Sequence, residues 1–438
     1  MKSDNLHAAL RMAAISALVL VTTAASAQLA AGRRKLVIPQ SSESQPGDLG
    51  VRAHTNIRVM LTAEQPNEAP PYLGYGFETP ASLACVYKLV PPIPGCNPNL
   101  TTNTPQGGSQ SIAIVDAFDD PNALGDLAAF SDQFGVPFDP GKFVVAYESG
   151  APPPADPTGG WELEESLDIE YAHAMAPHAK LYLVEANSNG YVDLFTAVIE
   201  ATNLVQCGQQ FGCPPNATGK GEVSMSWGGG EFTQETELDP YLAGTNVVYV
   251  AAAGDTAGVE YPSASPNVVS VGGTTTARSL NTGNLIREIA WSDAGGGSSQ
   301  VEPRPSYQRA IAQYAGATRA TPDVASDANP NTALWVFDSY PYEGVTNPSD
   351  WWTVGGTSAA APTVAGILNA AATQSGHFAA SSNEELTEIY RDLAIPPFYN
   401  ATFNDITYGA CNYYSSTFSG PGYDFCTGVG SVRTLFGK

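Results

Sequence analysis

Short, almost unbroken apolar runs recur through the middle of the chain, at Ser111–Val115, Phe143–Tyr147, Lys180–Val184, Glu222–Ser226, Asn246–Ala252 and Val268–Val271. They are rich in Val, Ile and Tyr and do not alternate with polar residues, the pattern of strands buried on both faces of a parallel sheet. Between them lie stretches with apolar residues at helical spacing, Leu124–Phe134, Leu163–Met175 and Tyr191–Leu204. This alternation predicts an α/β fold, a mostly parallel sheet flanked by helices on both faces. In such sheets the functional site lies at the carboxyl ends of the strands. The segments Gly295–Gly297 and Pro341–Asp350 read as surface loops, and no internal repeat is visible.

The beginning of the chain follows another pattern. Lys2 and Arg11 precede the apolar run Met12–Val21, and Ala25-Ser26-Ala27 closes it. That is the layout of a secretory signal peptide over residues 1–27, and it predicts a secreted protein, extracellular or periplasmic. The run is too short for a stable membrane span, and no later uninterrupted apolar run is long enough, so no membrane partner is expected after cleavage. Residues 28–73 are polar and proline-rich, with one strand-like piece at Thr55–Thr62, and read as a short N-terminal extension or pro-segment. The main domain is expected over 74–438.

Composition narrows the partners. In 438 residues, 43 acidic side chains face 19 Lys plus Arg, a formal charge of −24. Nucleic acids and anionic membranes need basic surfaces, so neither is expected as a partner. The acidity suits work at low pH, where protonation relieves self-repulsion, although plain solubility would produce the same balance. Six cysteines fall into three local pairs, Cys85/Cys96, Cys207/Cys213 and Cys411/Cys426. Fifteen pairings are formally possible; in an oxidising compartment, bridges between sequence neighbours are expected. None has the CxxC spacing of zinc or redox sites.

Three segments carry candidate chemistry. The first is Gly355-Gly356-Thr357-Ser358-Ala359-Ala360-Ala361-Pro362, followed by the small-residue stretch Thr363–Ala372. Proline is tolerated in a first helical turn, so Ser358 is expected at the N-terminus of a buried helix, where free N–H groups favour negative charge. Alone, the segment also reads as a glycine turn with a serine N-cap. A nucleophilic serine needs a base. The five histidines, His7, His54, His173, His178 and His377, have no Gly-flanked HGT setting of the kind subtilisin-type triads use. Carboxylates are therefore the candidates. Glu164 and Asp168 stand four residues apart, one turn along one helix face, bordering an apolar stripe of Leu163, Leu167, Tyr171 and Ala174. A solvated acidic face would look the same; half buried, the pair would split its pKa values and supply a base. Third, Asp255 follows a buried strand, where it is either a turn residue or an active-site acid.

Together these segments resemble the sedolisin (serine-carboxyl peptidase) family, whose kumamolisin-like members have a subtilisin-like fold. The match begins at Thr79-Pro80-Ala81-Ser82-Leu83 and includes Ile112-Ala113-Ile114-Val115-Asp116-Ala117 as the first core strand. The family's Glu-x-x-x-Asp falls on Glu164 and Asp168, its Gly-Thr-Ser on Gly356-Thr357-Ser358, and its oxyanion-hole aspartate on Asp255. The resemblance implies proteolysis at acidic pH of protein and peptide substrates, with Ser358 as nucleophile, Glu164 as base, Asp168 as its partner and a protonated Asp255 as oxyanion donor. It also implies one structural Ca²⁺ in a C-terminal loop, held by Asp405 and Asp424 with carbonyls of Ile406, Gly420 and Gly422, all hard oxygen donors. Ser226, Trp227 and Gly228 resemble the strand lining the substrate cleft, whose edge could pair with an extended peptide; a core tryptophan is the plainer reading. Most members carry a long prodomain where this chain has residues 28–73, and Thr256 stands where serine is usual. A monomer is expected. Tripeptidyl-peptidase action, or a catalytically silent secreted binding protein of the same fold, are the alternatives; an α/β-hydrolase esterase lacks its G-x-S-x-G elbow and a zinc peptidase its HExxH.

Overall fold

Each of the apolar runs becomes a strand. The structure, a computed structural model, describes residues 34–435 apart from 63–68, 73–75, 92, 215, 346, 348 and 412–416, so the signal-peptide reading of residues 1–27 lies outside the described residues. In chain order the strands are β1 (Arg34–Val37), β2 (His54–Thr55), β3 (Arg58–Thr62), β4 (Ser111–Ala117), β5 (Phe143–Tyr147), β6 (Lys180–Ala186), β7 (Gly221–Met225), β8 (Trp227–Gly230), β9 (Val247–Ala252), β10 (Glu260–Tyr261), β11 (Val268–Arg278) and β12 (Leu285–Ala290). They continue with β13 (Gly297–Pro303), β14 (Thr318–Thr321), β15 (Val324–Asp327), β16 (Leu334–Phe337) and β17 (Trp351–Gly355). The helices used below are α1 (Pro80–Val86), α2 (Ala123–Phe134), α3 (Gly160–Met175), α4 (Tyr191–Cys207), α5 (Thr357–Ser375) and α6 (Ser382–Leu393).

The main sheet runs β5–β6–β4–β7–β9–β11–β15, with parallel pairing between all these neighbours. Beyond β15 stand the short pieces Ser431–Val432 and Phe403–Asn404, and β12 folds back antiparallel on β11. Alternate residues of each strand point to opposite faces. Ile112, Ile114, Leu181, Leu183, Val248 and Val250 therefore join one core, with Ile169 of α3 and Ala361 and Val364 of α5. Ala113, Val115, Tyr182, Val184, Tyr249 and Ala251 join the other, against Leu194, Ala197 and Val198 of α4. Helices on both faces of a parallel sheet are thus present as expected.

The local pairing of the cysteines also holds: Cys85–Cys96, Cys207–Cys213 and Cys411–Cys426 are bridged, and among the described residues there is no free cysteine. Nor, among the described residues, is any helix long and apolar enough to cross a membrane.

Three expectations need correction. The polar segment before residue 74 is not separate from the body. β3 pairs with β17, and β1 with β3, in a four-stranded sheet β1–β3–β17–β16, while β2 joins β8 and β10. β17 lies some 300 residues from β3 and β8 more than 170 from β2, and local pattern gives no hint of either partner. Gly295 and Gly296 are buried rather than on the surface, because their N–H groups bond to Gly254 O and Gly258 O at 2.8 Å each. Finally, α3 is not half exposed. Every residue from Gly160 to Met175 is buried, since Leu163, Leu167 and Tyr171 pack into a third core while Ile169 and Ala172 pack into the first.

Helices α3 and α5 approach closely. A Cβ added to Gly366 would lie 2.7 Å from both Ala172 O and Met175 Cβ. Gly366→Val should therefore lower stability by about 1–3 kcal/mol through overpacking. Urea unfolding measures this, and an unchanged midpoint would mean that the helices can part at no cost.

Candidate active site

Ser358 is the second residue of α5 and is fully buried. The residue before that helix, Gly356, has φ +106°, and a Cβ there would lie 1.9 Å from Asn56 O and 2.6 Å from Asp255 Oδ2. Only glycine fits this turn. Pro362, expected in the first helical turn, is the sixth residue of α5 and so lies in the second. It has no N–H for the carbonyl of Ser358, four residues back. That carbonyl instead lies 3.3 Å from Ser226 Oγ. The proline thus frees a helix carbonyl that faces the end of β7.

Ser226 is the hub of the site. Its hydroxyl lies 2.6 Å from Asp168 Oδ2, to which it donates, and its carbonyl accepts from Ser358 Oγ at 2.9 Å. Glu164 and Asp168 are fully buried on α3, the helix packed against α5. Burial pushes the Glu164 carboxyl well up, the neighbouring Asp168 and Asp116 push it further, and the Ser358 hydroxyl opposes them. Asp168 is raised by burial and partly restrained by its bond from Ser226. Neither oxygen of Glu164 has a hydrogen-bond partner among the described residues. The Ser358 hydroxyl donates its proton to Ser226 O rather than to Glu164.

Asp116, at the end of β4, reads in the sequence only as part of a strand. It is fully buried and raised by burial, then by Asp168 and Glu185. The rule that singles out Asp255, an acid directly after a buried run, finds Asp116 as well.

Asp255 follows β9. Its Oδ1 accepts from Thr357 N–H at 2.7 Å and Thr357 Oγ1 at 2.9 Å, so it caps the first turn of α5. Burial raises its carboxyl to about 6, against the lowering effect of Arg58 and Thr357. Arg58 Nη1 lies 3.6 Å from Asp255 Oδ2, and Asn56 O accepts from Ser358 N–H at 3.1 Å. Sequence reasoning missed both Arg58 and Asn56.

Of the strand edge expected at Ser226, Trp227 and Gly228, one side is taken at Trp227 and Gly228 by β2. β8 pairs with β10 on one side and with β2 on the other, His54 facing Gly228 and Thr55 facing Trp227. Trp227 is wholly buried, its Nε1 donating to Val115 O at 2.8 Å. In the C-terminal loop, Gly422 N–H donates to Asp405 Oδ1 at 3.1 Å, and Gly420 N–H to Asp424 Oδ2 at 3.0 Å. These two glycines therefore present N–H groups, not carbonyls, to the carboxylates. The donor set is all oxygen, as a hard cation requires, and burial raises Asp424 to about 6, a cost that a cation would offset. Elsewhere, His377, Glu384 and Glu388 each bring one ligating atom within 4.8 Å of the others at the exposed start of α6.

A profile of the subtilase family matches residues 159–410. Kumamolisin from Bacillus sp. (strain MN-32) is 30% identical over 365 residues, covering 74% of this chain and 58% of that protein. Sedolisin from Pseudomonas sp. (strain 101) is 24% identical over 310 residues, covering 63% of this chain and 47% of that protein. The chain thus spans about half the length of these curated relatives. The solved structure of Pseudomonas sedolisin complexed with two molecules of pseudo-iodotyrostatin superposes with a TM-score of 0.63 at 20% identity. The superposition covers 82% of this chain and 95% of that one, and the two share a fold.

The buried acids reverse the usual effect of pH on stability. Unfolded carboxyls titrate near 4. Asp255 titrates at about 6 and Glu162 at about 8 in the fold, both raised chiefly by burial. The folded chain therefore holds more protons than the unfolded chain in between, so their stabilising contribution is complete below about pH 4 and is lost as pH rises through about 6 and then 8. Urea unfolding at three pH values should show the highest stability in acid; equal or greater stability at pH 8 would contradict this.

Proposed function

The chain belongs to the subtilase family, as a kumamolisin-like sedolisin, and from that premise we propose that it is a secreted serine-carboxyl endopeptidase cutting proteins and peptides in acid. The observation that carries the reading is the grouping of Ser358 with buried carboxyls: among the described residues it bonds to Ser226 and Asn56, Ser226 in turn holds Asp168, the Ser358 hydroxyl acts on the Glu164 carboxyl, and no histidine is bonded to Ser358. His173 packs edge-on against Phe138, and His377 faces Glu388.

In the reaction, Ser358 Oγ attacks the scissile carbonyl and Glu164 takes its proton. Asp168, held by Ser226, shares the charge that then develops on α3. Like charges so close in a dry site cannot both persist, so the pair holds one proton between them and Glu164 remains a usable base in mild acid. Asp255 must be protonated to donate to the oxyanion beside Ser358 N–H, because a carboxylate there would repel it. Glu164 then returns its proton to the leaving amine, and water releases the acyl group by the reverse sequence.

A structural Ca²⁺ is proposed at Asp405 and Asp424 with carbonyls of Ile406, Gly420 and Gly422, where it would tie the closing loop to the body. Secretion is supported by the signal-peptide reading of residues 1–27 and by the three disulfides.

Digestion of denatured haemoglobin tests the reading. Ser358→Ala should abolish acid proteolysis, and Glu164→Gln should lower kcat by about 10²–10⁴. Asp255→Ala should lower kcat by about 10²–10³, whereas Asp255→Asn keeps a neutral donor and should carry activity to higher pH. Undiminished cleavage by the serine variant would end the proposal. For the ion, EDTA should lower Tm in the parent protein and have no effect on Asp424→Asn; an EDTA-insensitive parent would refute the site.

A further inference from the structure

Beside Asp255 opens a cavity of about 1240 Å³ that no step of the proposed reaction uses. Its walls come from four places. The turn after β8 contributes Phe232, whose ring rests on Tyr191 and Tyr261 at centroid distances of 5.4 and 5.9 Å. The stretch that follows Asp255 contributes Val259, and β13 contributes Val301. The fourth wall is the C-terminal loop, through Thr417 and Phe425. Among the described residues, Glu231 is the one charged side chain in the lining, and its carboxylate is already engaged: it accepts from Ser299 Oγ, and from Gln300 N–H at 3.0 Å. Leu49 of the N-terminal segment also lines the cavity, which is therefore open with that segment in place.

The C-terminal wall is joined to the Asp255 turn by close backbone contacts. Gly295 N–H and Gly296 N–H bond to Gly254 O and Gly258 O, one on each side of Asp255, at 2.8 Å each. A Cβ on Gly296 would lie 2.1 Å from Phe425 O. The loop is itself clamped at the two residues that line the cavity. In the Cys411–Cys426 bridge, Cys411 Sγ lies 3.7 Å from Phe425 O and Cys426 Sγ 3.6 Å from Thr417 O. The Phe425 ring meets the buried Tyr423 edge-on at 6.0 Å.

We propose that Phe425, clamped together with Thr417 by the Cys411–Cys426 bridge, is a specificity-determining residue: it closes the cavity beside Asp255 so that this takes a large apolar side chain from the substrate residue whose carbonyl is attacked. The proposal rests on the peptidase reading above for the position of that carbonyl; the cavity and its wall are independent of it. The chemistry of the occupant follows from the lining. An aromatic or long aliphatic side chain covers Phe232, Val259, Val301 and Phe425 and expels their water, whereas a small one leaves that surface wet. A carboxylate would meet Glu231 and no cation. The bridge matters because the loop stands outside the main sheet, Thr417–Phe418 pairing with Ala410–Cys411 in a two-stranded sheet of their own. Without the clamp, the substrate would have to order Phe425, which weakens binding.

Two measurements in acid test this. The first uses peptides that differ only in the residue before the scissile bond. The parent should favour Phe over Ala there by at least about tenfold in kcat/KM, and Phe425→Ala should lower that ratio about tenfold, chiefly through KM, while Phe425→Leu restores most of it. Cys411→Ser/Cys426→Ser should lower the ratio likewise, and Cys207→Ser/Cys213→Ser, at the end of α4, should not. The second needs no cleavage. On Ser358→Ala, N-acetyl-phenylalanine amide should bind at least about tenfold more tightly than N-acetyl-alanine amide in an NMR titration, and Phe425→Ala in that background should erase the difference. Unchanged near-ultraviolet circular dichroism shows that the variants are folded. Equal cleavage of the two peptides by the parent, an unchanged ratio in folded Phe425→Ala or Cys411→Ser/Cys426→Ser, or equal binding of the two amides would overturn the proposal. Selective binding that depends on Phe425, with no Ser358-dependent cleavage of any peptide, would support the pocket and sink the peptidase reading instead.

Discussion

The burial of carboxyl groups without enough cations to match them is the constraint on which this structure depends. Glu162, Glu164, Glu165, Asp168 and Glu170 all lie on one wholly buried helix, and Asp116 and Glu185 face them from strand ends. Ionising such groups in a dry interior is costly, so most must keep their protons. Their chemistry follows from that one fact. A carboxylic acid can donate a hydrogen bond, a carboxylate cannot, and a pair sharing one proton can do the work of an imidazole. Low pH is the condition under which buried acids keep their protons at least cost.

The scaffold serves this constraint through close packing of small residues. Gly366 lets α3, which carries the buried acids, approach α5, which carries Ser358. Gly356 permits the turn that brings Ser358 N–H and Asp255 to one point. Pro362 withholds an N–H, so that a helix carbonyl is left for Ser226. Gly356 and Pro362 are local departures from regular structure, and both lie within about one turn of Ser358.

Much of this was legible in the sequence, for definite reasons. Buried parallel strands announce themselves by continuous apolar runs such as Ile112–Val115 and Val247–Ala252, and the i, i+4 spacing of Glu164 and Asp168 survives into the structure unchanged. The three local cysteine pairs bridge as their spacing suggested. What was not legible is non-local. Whether α3 exposes a face depends on three cores closing around it. Arg34–Val37 carries no strong strand pattern of its own, and Thr55–Thr62, strand-like by itself, does not announce that it pairs with β1 and β17. For the same reason Asn56 and Arg58 were invisible as site residues: nothing local distinguishes them from the polar segment around them.

The protonation state of the buried acids can be observed directly. Infrared absorption of protonated carboxyl C=O groups in the folded chain at neutral pH should be present, should lose intensity in Glu164→Gln, and should vanish on unfolding in urea at the same pH. A folded chain at neutral pH with no protonated carboxyl band would mean that these side chains are ionised and solvated, and would contradict a site built on buried acids.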